Sequence, residues 1–475
     1  MTKHLAKNME TLQLIYALLI VGCLIVVITE NHNPRTSISW ILALLFLPVL
    51  GLLLYFIFGK DHRYERIISD EGKGQLMTLA HQPQAMGKLS ENHPYHSVSK
   101  MLQKASDSPV LSGNGVKVFT LFSEMMNDMM SDISRAKHHV HVQFFKIEDD
   151  PVGRALAELL IRKAAEGVEV RLMYDDAANI MVNRRFYKYM ADHGVQVQAF
   201  LKVHFPFIDR DINCRNHKKI VVIDGIIGYT GGMNVAERYE KGIKIGIWRD
   251  THIRVEGPAV AQLQVSFLSD WRFSTGKLLA DAQYFAQTLP FGDIKMQIIS
   301  SGPKQHWQLI MQGMVQAIAL SKHYIYIQSP YFLPTEPLLM ALRNAALSGV
   351  DVRLMIPYRG DDGQSTMQAS HSFLQEILEV GVKVYSYQKG YMHAKVMVFD
   401  DEFCTIGSTN IDFRSLEQDF EVNAFIYDKA LSIKMKEIFL EDEKDCLLIE
   451  PEAWQQRPRL KKIRESLARL ISPLL

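Results

Sequence analysis

A phrase that occurs twice sets the strongest limit on what this chain folds into. Residues 216–234 read N-H-K-K-I-V-V-I-D-G-I-I-G-Y-T-G-G-M-N, and residues 392–410 read M-H-A-K-V-M-V-F-D-D-E-F-C-T-I-G-S-T-N. Both give His, one residue, Lys, four residues, Asp, then a glycine turn that closes on Asn. His217, Lys219, Asp224, Gly231 and Asn234 thus answer to His393, Lys395, Asp400, Gly407 and Asn410. One H-x-K-x4-D match in a long chain is weak, whereas two with the same tail require an internal duplication.

The sequence around the phrase repeats as well. Ile325–Gln328 matches Val140–Gln143, Gly349–Met355 matches Gly167–Met173, and Gly381-Val-Lys-Val matches Gly194-Val-Gln-Val. Helical spacing separates these β-rich runs, as in Phe122, Met125, Met126, Met129 and Ile133, a stripe expected in the core, and in Val152 to Glu166. Alternating helices and strands predict two α/β domains about a pseudo-two-fold axis, each a mixed sheet covered on both faces. They are expected at residues 110–290 and 291–475.

Two apolar runs precede them, at about residues 11–29 and 38–58. Each has the length of a membrane-spanning helix, so residues 1–59 read as a transmembrane helical hairpin turning at Glu30–Ser37. A cleavable signal is the weaker reading, because no small-residue cleavage site follows the first run. Lys3 and Lys7 before the first run, and Lys60, Arg63 and Arg66 after the second, outnumber Arg35 in the turn. Positive flanks stay inside, which places both ends and all that follows in the cytoplasm, on a multi-pass protein of the cell membrane. Residues 60–109 are polar and charge-mixed, and read as a linker.

In a strand, side chains two apart share a face, so His217 and Lys219 point together, as do His393 and Lys395. Asp224, before Gly225 in a turn signal, is expected to hold that turn. Two such segments meeting on an axis gather two imidazoles, two ammoniums and the amides of Asn234 and Asn410, with Ser408 beside the second, around one phosphate group. One neutral imidazole attacks phosphorus while the other, protonated, serves the leaving alkoxide. The lysines and asparagines hold the non-bridging oxygens. This chemistry requires no cofactor and no metal. His138, His139 and His141 have no carboxylate or thiolate at ligand spacing, and none of Cys23, Cys214, Cys404 and Cys446 forms a C-x2-C pair.

The doubled motif resembles the phospholipase D superfamily, and more narrowly the bacterial cardiolipin synthases. The likeness extends to His139-Val-His-Val-Gln, Trp248-Arg-Asp-Thr-His, Ser329-Pro-Tyr-Phe-Leu-Pro and the tail Ser472-Pro-Leu-Leu. It implies duplicated phospholipase D-like α/β sandwich domains. It also implies a catalytic set of His217, Lys219, Asp224, His393, Lys395 and Asp400, and a metal-free condensation of two phosphatidylglycerols into cardiolipin and glycerol. The family pattern further implies an acid downstream of each motif that orients a histidine: Glu421 in Asp419-Phe-Glu-Val-Asn, and Asp250 as its counterpart. Gly231-Gly232 departs from the usual Gly-Ser, and Asp419 stands where Asn is common.

Hydrolysis by the same groups, with water as acceptor, is the alternative. Nucleic acid is not an expected partner: 53 Lys and Arg against 52 Asp and Glu leave a net charge of +1, so any basic site is local. His204–Ile208 is an apolar turn facing either acyl chains or the domain. The tail Arg459–Leu470 carries Leu460, Ile463, Leu467 and Leu470 on one face among five basic residues, and reads equally as a bilayer-surface helix or as one packed on the domain.

Overall fold

The computed structural model describes residues 2–29, 34–58, 70–81, 87–203, 214–242, 246–286, 290–303, 305–360 and 364–472. The His204–Ile208 turn, Lys60, Arg63, Arg66 and the final Pro473–Leu475 lie outside the described residues. The chain divides into two units, residues 1–65 with 203–213, and residues 66–202 with 214–475.

In the first unit Thr2–Thr29 is one helix, but the second apolar run forms two, Pro34–Phe46 and Pro48–Phe58. The run breaks at Leu47 because Pro48 has no N–H to continue the first of them and is well placed to start the next. Val27, Leu44 and Tyr55 pack together, with the Trp40 ring edge-on to Tyr55. Most other large apolar side chains here, from Leu14 to Leu53, are exposed. Among the described residues no helix is long and apolar enough to cross a membrane.

Among the described residues the second unit carries 17 strands. The first eight are β1 (Leu111–Phe119), β2 (His139–Phe144), β3 (Glu169–Asp175), β4 (Gln196–Phe200), β5 (Ile220–Ile223), β6 (Ile227–Gly231), β7 (Ile247–Arg249) and β8 (His252–Glu256). The others are β9 (Ile294–Ser301), β10 (Tyr324–Gln328), β11 (Asp351–Pro357), β12 (Lys383–Tyr387), β13 (Gly390–Met392), β14 (Val396–Phe399), β15 (Phe403–Gly407), β16 (Glu421–Ile426) and β17 (Cys446–Leu448). Fifteen of them join one sheet, in which β1 and β9 pair antiparallel at the middle. Outward from that seam the order is β1-β8-β6-β5-β2-β3-β4 on one side and β9-β16-β15-β14-β10-β11-β12-β17 on the other. The seven strands of the first half each correspond to one of the second, which adds β17 at its edge, so the duplication is real and its sheets are fused rather than separate.

One face of each half is covered by its own helices, including Phe122–Ser134 and Pro151–Ala165 in the first and Leu309–Leu320 and Gln364–Leu378 in the second. The methionines Met125, Met126 and Met129 are buried there. The opposite faces share one apolar cluster drawn from both halves, with Phe267 of helix Val260–Thr275 and Met435 of helix Lys429–Glu443. The stretch read as a linker is not wholly one. Asp70–His81 and His96–Ser106 are helices whose Leu76, Ala80, Val98 and Leu102 are buried in these cores.

Candidate active site

Each copy of the phrase is an extended segment running into a hairpin. β5 and β6 are joined through Asp224 and Gly225, whose φ of 53° and 68° suit a tight primed turn. β14 and β15 are joined through Asp400 and Asp401, with φ of 52° and 61°. The Asp224 carboxylate accepts from the N–H groups of Lys137 (2.8 Å), His138 (2.8 Å) and His139 (3.0 Å). That of Asp400 accepts from Lys322 (2.7 Å), His323 (2.9 Å), Tyr324 (2.8 Å) and the Tyr95 hydroxyl (3.1 Å). Neither aspartate lines the cavity that holds the histidines. Each carboxylate ties its turn to the start of a neighbouring strand, away from the cavity lining.

His217 and Lys219 precede β5 rather than lying in it, and His393 and Lys395 likewise precede β14. The alternation survives. His217 faces a cavity of about 340 Å³ that His393 also lines, while Lys218 points to the other side and pairs with Asp270 at 3.0 Å.

The carboxylates that hold the histidines cross over. His217 Nδ1 is 2.9 Å from Glu421 of the second half, and His393 Nδ1 is 2.6 Å from Asp250 of the first. Two short backbone pairings force this exchange. Asn216 bridges Phe420, with the His217 N–H donating to the Phe420 carbonyl (2.9 Å). β7 and β13 pair in parallel, after which the His393 N–H donates to the Arg249 carbonyl (2.7 Å). With Nδ1 engaged, Nε2 of each ring is the nitrogen left for the cavity.

The two acids differ in setting. Burial would raise Asp250, but Lys395 and His393 outweigh it and hold the carboxyl below its usual range. Glu421 is pushed up to about 7 by burial. Ser408 donates its hydroxyl to Glu421 and is wholly buried, so it serves the acid rather than a phosphate. In the first half the matching place is Gly232, where an added Cβ would lie 2.1 Å from the Asp250 Oδ1. The missing side chain makes room for the shorter acid, which accounts for the Gly-Gly departure.

The surroundings favour the neutral form of both imidazoles. Burial, then Lys219 and Lys395, drive His217 well below its ordinary value, and burial with Lys395 brings His393 to about 4. Lys219 itself falls to about 7, mainly through burial. Its ammonium lies 2.6 Å from the His217 carbonyl, and Lys395 stands 2.9 Å from His393 Nδ1.

The cations of the lining are Lys146, Arg215, Arg238 and Arg414, against Asp412 and Asp419, while Lys219 and Lys395 are buried beside the histidines and are not among the lining residues. Burial raises both acids, Asp412 to about 6, and four cations face these two acids in a chain whose net charge is only +1. Asn410 lines it with a buried amide oxygen that has no hydrogen-bond partner. Asn234 also lines it, but its amide already binds the Tyr239 hydroxyl (2.9 Å) and the Lys146 N–H (3.2 Å).

The family described as "Cardiolipin synthase, PLD-like domain" matches residues 129–271 and 314–443, and "Phospholipase D-nuclease N-terminal" matches residues 18–60. A cardiolipin synthase of Geobacillus sp. (strain WCH70) is 37% identical over 99% of this chain and 95% of its own length. The chain belongs to the cardiolipin synthase family. Another member, the major cardiolipin synthase of Bacillus subtilis (strain 168), is 37% identical over 98% of both chains. The phosphatidylserine synthase of Haemophilus influenzae Rd KW20 has the same fold at 13% identity, with a TM-score of 0.62 over 79% of this chain and 99% of that one.

Three features of this cardiolipin synthase family site lie outside the residues that the doubled phrase picks out. Tyr239 sits 3.4 Å from His393 Nδ1, and burial keeps its hydroxyl protonated. Asp270 binds Lys218, Gln143 (2.7 Å) and Asn216 (2.9 Å) behind His217. Asp442 binds Arg249 (2.7 Å) and Gln328 (2.8 Å) behind His393. Gln143 and Gln328 lie in the repeated β-rich runs, which was the one available signal. His139 and His141 are spent on Gln264 and Arg171 in the core.

Proposed function

We propose that the protein condenses two phosphatidylglycerols into cardiolipin, releasing glycerol, through a phosphohistidine formed in the cavity shared by the two halves. The supporting observation is the crossed pair of histidine–carboxylate contacts on one cation-rich cavity. Nε2 of one neutral imidazole attacks phosphorus, forming the P–N bond as the P–O bond to glycerol breaks. The other imidazole, as imidazolium, gives its proton to the departing alkoxide. The hydroxyl of a second phosphatidylglycerol then gives a proton back to that imidazole and attacks phosphorus, and the P–N bond breaks. Binding the phosphodiester anion raises the histidines from their depressed values and loads that proton. Lys219, Lys395, Asn410 and the Tyr239 hydroxyl bear on the non-bridging oxygens, where charge must be held in the transition state. The charge role is filled by the chain's own groups, so a chelator is expected to leave turnover unchanged.

The N-terminal helices, in this reading, embed in the cell membrane with the catalytic unit on its cytoplasmic side, in line with the flanking lysines and arginines. A Thr36→Cys variant is then labelled in intact cells by an impermeant maleimide; protection of that thiol until the membrane is opened would reverse the orientation.

The deciding assay is the full-length protein in detergent with labelled phosphatidylglycerol. Cardiolipin with free glycerol is the expected product. Phosphatidate with glycerol and no cardiolipin would make the protein a hydrolase. His217→Ala and His393→Ala each lower turnover by roughly a thousandfold or more.

A further inference from the structure

The tail helix Arg459–Leu470 is docked by the wrong face for an ordinary surface helix. Glu465 and Ala468 are buried against helix Gln364–Leu378, where Glu465 accepts from Arg457 (2.8 Å) and Arg469 reaches Glu376 (2.6 Å) over the Phe373 ring. The apolar stripe faces out: Leu460, Ile463, Leu467 and Leu470 are 55–76% exposed, and Ile471 continues it. At about 100° per residue, Arg459 and Arg464 border the stripe on its two sides. Both are exposed, and the helix's single acid is the buried Glu465. A contiguous apolar face of this size on a soluble surface marks an interaction site.

We propose that this face is a membrane-contact surface of the catalytic unit, lying in the interface of an anionic bilayer with its leucines among the acyl chains. Charge complementarity selects that occupant. Long cationic side chains on either edge of an apolar stripe reach lipid phosphates while the stripe sinks, whereas a second copy of the helix would bring like charges together. On its protein edge the helix is tied down by the ion pairs of Glu465 with Arg457 and of Arg469 with Glu376. The inference rests on a lipid substrate only in giving the contact a purpose, which is to hold the cavity near the surface from which that substrate comes.

The test uses the full-length chain with Cys23 and Cys446 changed to Ser, reconstituted in phosphatidylglycerol–phosphatidylcholine vesicles. A bimane is attached to Leu467→Cys and, as a control on another face, to Lys462→Cys. Brominated acyl chains are expected to quench the Leu467 probe about twofold more than the Lys462 probe, and less in purely zwitterionic vesicles. Equal, weak quenching at both positions would overturn the proposal. So would copper-driven disulfide crosslinking of Leu467→Cys between chains, which would make the face a contact between copies. In a second arm, Ile463→Ser/Leu467→Ser should lower turnover of vesicle phosphatidylglycerol about tenfold but that of a monomeric short-chain analogue less than twofold. The quenching readout needs no turnover, so it stands or falls separately from the cardiolipin reaction.

Discussion

Ser408 and Gly232 occupy the same place in the two halves, and the serine cannot be copied to Gly232 without moving an acid. A side chain at Gly232 collides with Asp250 at 2.1 Å, and Asp250 holds His393 at 2.6 Å. Gly232→Ala is therefore expected to cut kcat at least tenfold while the protein still folds, because a displaced carboxylate no longer fixes the tautomer of the imidazole (about two orders of magnitude lie within reach of one proton-transfer group). Ser408→Ala removes one hydrogen bond from Glu421 and costs about tenfold or less. The double variant Gly232→Ser/Asp250→Glu rebuilds the second-half arrangement in the first and should recover part of the loss. Steady-state kinetics on the three variants distinguishes steric displacement from a simple need for glycine.

At the scale of elements, the motif aspartates belong to stability. Asp400 satisfies three backbone N–H groups and Tyr95 from a left-handed position. Asp400→Ala should lower unfolding stability by about 2–4 kcal/mol in denaturant titration. Activity per folded molecule should stay within about twofold, since the carboxylate is off the cavity. Helix Gln364–Leu378 offers a pH test. Burial first, then Lys461 and Arg457, bring its His371 to about 4, with Glu465 4.0 Å away. The unfolded imidazole takes its proton near 6.5, so the contribution is whole above that pH and is lost as pH falls from about 6.5 to 4, by at most about 3 kcal/mol. His371→Gln should flatten the stability–pH curve in that window; an unchanged slope there would mean the ring is protonated in the fold.

The same scale shows what the sequence reveals and what it hides. The doubled phrase predicts the hairpins, the hold of Asp224 on its turn and the meeting of His217 and His393 on one cavity, because those depend on spacing within one segment. The crossing of Asp250 and Glu421 depends on β7, β13 and a single bridge at Asn216, which are too short to leave a periodic pattern. Tyr95, Val98 and Leu102 do have helical spacing, but polar neighbours mask it, and that stretch reads as linker. The break at Leu47–Pro48 was visible as a proline and outweighed by the apolar run around it.

At the scale of the whole molecule, the site is built from parts that neither half owns. His217 and Asp250 come from the first half, His393 and Glu421 from the second, and the proper pairs form only across the seam. Mixing purified His217→Ala and His393→Ala proteins should therefore restore no activity, because each intact histidine would still lack its catalytic fellow in the same cavity. Recovered turnover in that mixture would mean that the cavity assembles between chains. The crossed acids also order events at the ribosome. When residues up to about 290 have emerged, the first half holds a histidine without its acid and an acid without its histidine. Only once Glu421 has been made and has docked is either imidazole set for use. A partly made chain thus carries no working phosphodiester chemistry, and the appearance of turnover marks the moment at which the last-made half has closed on the first.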